Sequence, residues 1–104
     1  MGAPPLLTIE QRRQALAKAA LSRKERAAFK SEIRVGARNW REAFSDPREA
    51  IQKMRIKELL EAIPGFGKIR AGVILERAHI SSSRRIQGIG RKQMELLTSL
   101  MAEK

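Results

Sequence analysis

No stretch of this chain alternates β-branched or aromatic residues with polar ones, and helix-forming residues dominate throughout, so the fold is all-α. The first helix has the clearest start. Thr8 follows Pro4 and Pro5 and stands three residues before Gln11, the pattern of a capping box, and the helix is expected to run to about Val35, where Gly36 stops it. At ~1.5 Å per residue it would be roughly 40 Å long. Its first half offers mainly alanines (Ala15, Ala17, Ala19, Ala20), which favour helix but bury little area, so that half is expected to project. Phe29 and Ile33, one helical turn apart, mark where packing begins.

Two more helix starts are signalled by Asn39 with Glu42 and by Asp46 with Glu49, the latter with Pro47 at the first helical position. Trp40, Phe44, Ile51 and Met54 are the expected core of that segment; stacking on a base is the other use open to Trp40. From Lys57 the pattern is helix to Ile63, a glycine turn at Pro64-Gly65-Phe66-Gly67, then helix from Lys68 to about Ala78. It recurs more weakly after His79: a stretch to Gln87, a turn at Gly88-Ile89-Gly90, and a last helix from Arg91 to about Met101 with Met94, Leu97 and Met101 on one side. The 104 residues fit one domain, with a basic N-terminal helix over 6–36. The absence of heptads over most of the chain argues for a monomer.

Lysine and arginine total 22 against 11 acidic residues, a net charge of +11 that calls for a polyanionic partner. No long apolar run or bulky amphipathic face points to a membrane, and no charged n-region precedes an apolar stretch, so a cytoplasmic protein is expected. The lack of cysteine removes disulfides, thiolate nucleophiles and cysteine zinc sites. His79 is the one histidine, and no nucleophile elbow or oxyanion loop accompanies it. No enzyme activity, metal, cofactor or small-molecule substrate is expected.

Three groups of residues are candidates for contacting a polyanion. At Gly65-Phe66-Gly67-Lys68-Ile69-Arg70, a Gly-x-Gly turn opens a helix whose free N–H groups and positive dipole end suit an anion, and Lys68 and Arg70 add charge where cations would otherwise be unfavourable. A tight turn with Phe66 plugged into the core is an equally good reading of the spacing. The nucleotide-loop forms do not fit, since no strand precedes the turn and no Ser or Thr follows the lysine. The second group, Ser83, Arg84, Arg85, Gln87, Gly88, Gly90, Arg91 and Lys92, puts phosphate donors around a second glycine turn, against the plainer reading of a solvated loop. The third is a basic stripe on the first helix, Arg12, Arg13, Arg23, Arg26, Lys30 and Arg34, a weaker candidate because such runs are often solvated faces.

The segment 54–102, with its helix, glycine turn, helix, Ser-Arg-Arg-Ile-Gln-Gly-Ile-Gly loop and final helix, resembles the helix-two-turns-helix unit, found also in a small-subunit ribosomal protein and in bifunctional DNA glycosylases. With Leu7-Thr8, Glu10-Gln11-Arg12, Leu59-Leu60-Glu61-Ala62, Gly67-Lys68 and Arg84-Arg85 before Gly88-x-Gly90, nearly the whole chain resembles the actinobacterial integration host factor family. That family shares only a name with the β-ribbon architectural protein. The resemblance implies a nucleoid-associated protein that binds double-stranded DNA with little sequence preference, bends or compacts it, and assists phage integrase complexes. Two departures stand out: Gln87 occupies a position where arginine is usual, and the connection from Asn39 to Met54 looks slightly short. An RNA-binding or ribosome-associated role is the alternative, since charge does not choose between polymers. A glycosylase is disfavoured because Met1-Gly2 supplies no N-terminal proline nucleophile and no catalytic domain precedes the unit.

Overall fold

The computed structural model describes residues 8–102. Helix α1 spans Ile9–Arg34, and α2 to α5 span Glu49–Gln52, Ile56–Glu61, Lys68–Arg77 and Arg91–Ala102. Two 3-10 turns, Trp40–Ser45 and Ile86–Gly88, complete the secondary structure. Among the described residues there is no strand, only an isolated antiparallel bridge between Arg55 and Arg85. Pro4, Pro5, Leu6 and Leu7 lie outside the described residues.

Local chemistry explains the ends of α1. Thr8 Oγ1 accepts from the Gln11 N–H and Gln11 Oε1 from the Thr8 N–H, both at 3.0 Å, closing the expected capping box. At the other end Gly36 takes a φ of 78°, the Ala37 N–H reaches Glu32 O (2.8 Å) and the Gly36 N–H reaches Ile33 O (3.1 Å). These two bonds form a Schellman motif, which satisfies carbonyls the helix leaves open. Every residue from 8 to 21 is exposed, so the first half of α1 projects. The radius of gyration of 16.6 Å and the 57 × 32 × 24 Å extents follow from it; a compact chain of this length would have a radius near 13 Å.

Packing begins at Phe29 and Ile33, the buried residues of α1. Around them lie Ile51, Met54, Ile56, Leu59, Leu60, Leu75, Ile86 and Leu97, each large enough to contribute about 1.5–3 kcal/mol on burial. Trp40 and Phe44 are half-buried, stacked edge to face at 5.9 Å against this core. No polar side chain among the described residues is buried.

Two expected helix starts differ from the structure. Asn39 caps its segment as expected, with Glu42 closing the box, but the segment winds as a 3-10 turn rather than an α-helix. Asp46 and Pro47 do not begin a helix: α2 starts at Glu49, two residues later than expected, with Arg48 in the cap position and no side-chain cap. Asp46 instead accepts from the Arg48 backbone N–H (2.9 Å) and from its guanidinium, Nε at 3.0 Å and Nη2 at 2.8 Å. Its carboxylate is spent on turning the chain and holding Arg48, which also reaches Glu25 on α1 at 3.7 Å. Helix α3 likewise starts and stops slightly earlier than its pattern suggests, at Ile56 and Glu61.

The hydrogen bond from Arg48 holds the Asp46 carboxyl below the usual carboxylate range, against the opposing effect of its burial. A carboxylate with a depressed folded-state pKa adds stability above its unfolded value, near 4, and loses it as pH falls through the folded value. Asp46→Asn is therefore expected to lower the unfolding midpoint at neutral pH and to flatten its fall on acidification, read by thermal melts between about pH 2 and 7.

Candidate nucleic-acid interface

The first turn is built by Pro64 and Gly65. The Phe66 N–H donates to Ile63 O (3.0 Å), and Gly65 at φ 83° occupies the third position of a type II turn, where an L side chain is strained. Phe66 is half-buried against the core, and the Arg70 guanidinium lies 4.4 Å from its ring centroid. The turn is a tight connection with Phe66 against the core, and it leaves the start of α4 exposed. Gly67 sits in the cap position with no side-chain cap and open space around it. Lys68 and Arg70 follow, both exposed.

The second loop is closed at three points. Helix α4 ends in another Schellman motif, with the Ile80 N–H on Leu75 O (2.9 Å) and the His79 N–H on Glu76 O (3.1 Å). His79, rather than glycine, takes the left-handed conformation there, at φ 57°. In mid-loop, the Ile56 N–H donates to Arg84 O and the Ile86 N–H to Met54 O, both at 2.9 Å, tying the loop to the start of α3. Ile86 is buried there at 2% exposure. At the far end Gln93 makes a clamp: its Oε1 accepts from the Gly90 N–H (2.9 Å) and its Nε2 donates to His79 O (3.0 Å).

Within this frame Ser81 to Arg85 are all exposed. Ser81 Oγ contacts Ser83 Oγ at 2.9 Å, and the Arg84 N–H returns to Ser81 O at 2.9 Å, which makes a compact turn. The Arg84 side chain lies across Gly88, where an added Cβ would come within 3.0 Å of its Cδ. Gly88 therefore gives room to an arginine, and the Gly90 N–H is already taken by Gln93. Neither glycine serves as an open backbone donor of the kind the motif suggested. Gln87 is exposed beside them; Lys92 is exposed too, and Arg91 makes only a loose pair with Glu95 at 3.8 Å.

The fold brings the two turns together. Lys68 from the first lines one depression with Ser82 and Ser83 from the second; Arg55 and Lys57 at the start of α3 add two more cations, and Glu58 and Glu61 of α3 also line it. The first-helix stripe is divided. Arg23 and Arg26 face the start of α3, Lys30 is engaged by Glu58 at 2.7 Å, and Arg12, Arg13 and Arg34 stay exposed. Arg55, Lys57 and Gln93 belong to no motif in the sequence. Basic residues at a helix start, the feature that marks Lys68 and Arg70, also mark Arg55 and Lys57. Among the described residues no cluster of acidic or histidine side chains could hold a metal ion, and no helix is long and apolar enough to cross a membrane.

Residues 42–101 match the S13-like H2TH domain, so fold and exposed loop together define an H2TH-domain protein. The chain is 44% identical to the integration host factor of Streptomyces coelicolor, over 93% of this chain and 92% of that one. It is 39% identical to those of Mycolicibacterium smegmatis and Mycobacterium tuberculosis, over 89% of this chain and 90% of each. Its structure matches that of sIHF bound to an 8-bp palindromic DNA, with a TM-score of 0.74 and 39% identity, covering 84% of this chain and 97% of that one. The chain belongs to the actinobacterial integration host factor family.

Loop closure by Gln93 is directly measurable. Gln93→Ala frees the Gly90 N–H, and with about 1 kcal/mol of local bonding lost, amide exchange at Gly90 should speed up severalfold while the exchange of Leu97 in the core stays unchanged. Equal acceleration at both would mean that the clamp acts on global stability only.

Proposed function

We propose that this chain is a nucleoid-associated architectural protein that binds double-stranded DNA mainly through its phosphate backbone and with low sequence specificity. The observation that carries the reading is the rigidly closed loop 79–90, which displays Ser83, Arg84 and Arg85 to solvent beside Lys68. Among the described residues no acidic side chain forms an ion pair with any of these three cations. Cations held on a fixed backbone and left without acidic partners suit a repeating array of phosphates. The family's integration host factors and the DNA complex of sIHF support the same reading.

Backbone binding without base readout acts on DNA by reshaping it, so bending or compaction in the nucleoid is the corresponding cellular role. Assistance to a phage integrase in a nucleoprotein complex follows from the family's name. The protein is proposed to act as a monomer, without cofactor, metal or catalytic activity. Gln87 donates a neutral hydrogen bond where an arginine would add charge, so this protein should depend on salt somewhat less than a relative with arginine there.

With about six phosphates neutralised, log affinity should fall against log salt with a slope of about −5 in mobility-shift titrations between ~50 and ~200 mM KCl. Replacing Arg84 and Arg85 by glutamine should reduce that slope by about 2 and leave the thermal midpoint unchanged. A flat salt dependence would refute backbone binding. Tenfold preference for structured RNA over matched duplex would favour the ribosome-associated role instead.

A further inference from the structure

Ile69 is the most exposed large hydrophobic side chain among the described residues, at 86%. A lone apolar residue on a protein surface is ordinary, so its meaning comes from its place. Ile9, Leu16, Leu21 and Val35, the next most exposed, belong to α1 or its end. Ile69 is instead the second residue of α4, between the exposed Lys68 and Arg70. Helix α4 buries Ala71, Ile74 and Leu75, which lie on the far side of the helix from it, so Ile69 adds nothing to the core.

The Ala71 N–H donates to Gly67 O at 3.0 Å, the first bond of the helix, which leaves the N–H groups of Lys68, Ile69 and Arg70 without an intrahelical partner. Under the DNA-binding reading these groups face a phosphate, with Lys68 beside it. Arg70 is drawn back over the Phe66 ring at 4.4 Å, so Lys68 and Ile69 are the side chains that project from the helix start. In an α-helix each Cα–Cβ bond tilts toward the N-terminus, so the Ile69 side chain leans toward the end at which that phosphate is held. A backbone phosphate is joined on both sides to a sugar. The group that a hydrocarbon side chain meets beside it is therefore the sugar, whose C–H face is the apolar part of a deoxyribose backbone.

We infer that Ile69 selects deoxyribose over ribose: its side chain packs against a sugar of the strand held by the first turn, and a ribose in that place is rejected. The 2′-hydroxyl is the group by which a protein tells RNA from DNA. Pressed against isoleucine, that hydroxyl loses its water and gains no partner, a cost that deoxyribose does not have. Lys68, Arg84 and Arg85 cannot make the distinction, because both polymers carry the same phosphates. The inference rests on the DNA-binding reading above, and it gives a set of backbone contacts a means of choosing between two backbones.

The test compares the unaltered protein with Ile69→Thr, which trades an ethyl branch for a hydroxyl, with Ile69→Val, which stays hydrocarbon, and with Lys68→Gln. Each is titrated by fluorescence anisotropy, across a KCl series, against DNA, RNA and 2′-fluoro duplexes of one sequence; the last keeps the RNA geometry without the hydroxyl. Ile69 is exposed, so thermal midpoints should not move. Ile69→Thr should bind DNA about threefold to tenfold more weakly with an unaltered salt slope. Its preference for DNA over RNA should fall about tenfold, whereas Ile69→Val should keep that preference. Lys68→Gln should reduce the slope by about 1 and act on both polymers alike. The unaltered protein should also bind the 2′-fluoro duplex more tightly than RNA. The same DNA-over-RNA preference in Ile69→Thr as in the unaltered protein, or equal binding of RNA and 2′-fluoro duplexes by the unaltered protein, would overturn the role of Ile69 and leave DNA binding intact. Preference of the unaltered protein for RNA would instead remove the DNA-binding reading.

Discussion

Two backbone hydrogen bonds, Ile56 N–H to Arg84 O and Ile86 N–H to Met54 O, carry the geometry on which the site depends. They join segments thirty residues apart in the chain and impose the alternation of extended backbone on an otherwise helical protein. Met54, Ile56 and Ile86 turn inward and are nearly or wholly buried, while Arg55 and Arg85 between them turn outward. The same contact therefore seals the core and sets the position of the basic side chains. A loop fixed in this way loses less conformational entropy when a ligand arrives.

Stability and binding make opposite demands on the charges of this protein. Where a cation has a structural task it is paired: Arg48 with Asp46, Lys30 with Glu58, Arg38 with Glu32 and Glu42. Arg84, Arg85, Arg55, Arg23 and Arg26 have no such partner among the described residues, although acids lie close by. Exposed pairs contribute little to stability, so leaving these cations unpaired costs the fold little. What it retains is a net positive charge, whose pull on a polyanion weakens with salt.

Features of the sequence governed by neighbours in the chain were legible. Thr8 with Gln11, Gly36, Asn39 with Glu42, and the turn at Pro64-Gly65 each carry their structure within a few residues, and the all-helical class follows from them. The exposed first half of α1 was legible too, because alanine offers no area to bury. Asp46-Pro47 misled because the carboxylate had a stronger use in Arg48 than in a helix cap. The loop's glycines were readable as glycines, but their roles were not: Gly88 accommodates Arg84 and Gly90 is held by Gln93, contacts that only the folded loop defines. The pairing of Arg55 with Arg85, and the engagement of Lys30 by Glu58, depend on long-range packing to which no local pattern points.

The central claim is that a preformed loop, together with the start of α4, meets the phosphate backbone. Amide hydrogen exchange with and without a saturating short duplex tests it most directly. New protection should appear at 81–92 and 67–70, with no change at Trp40–Ser45 or in the last turn of α5. Protection confined to those latter segments, with the loop exchanging as in the free protein, would contradict the account.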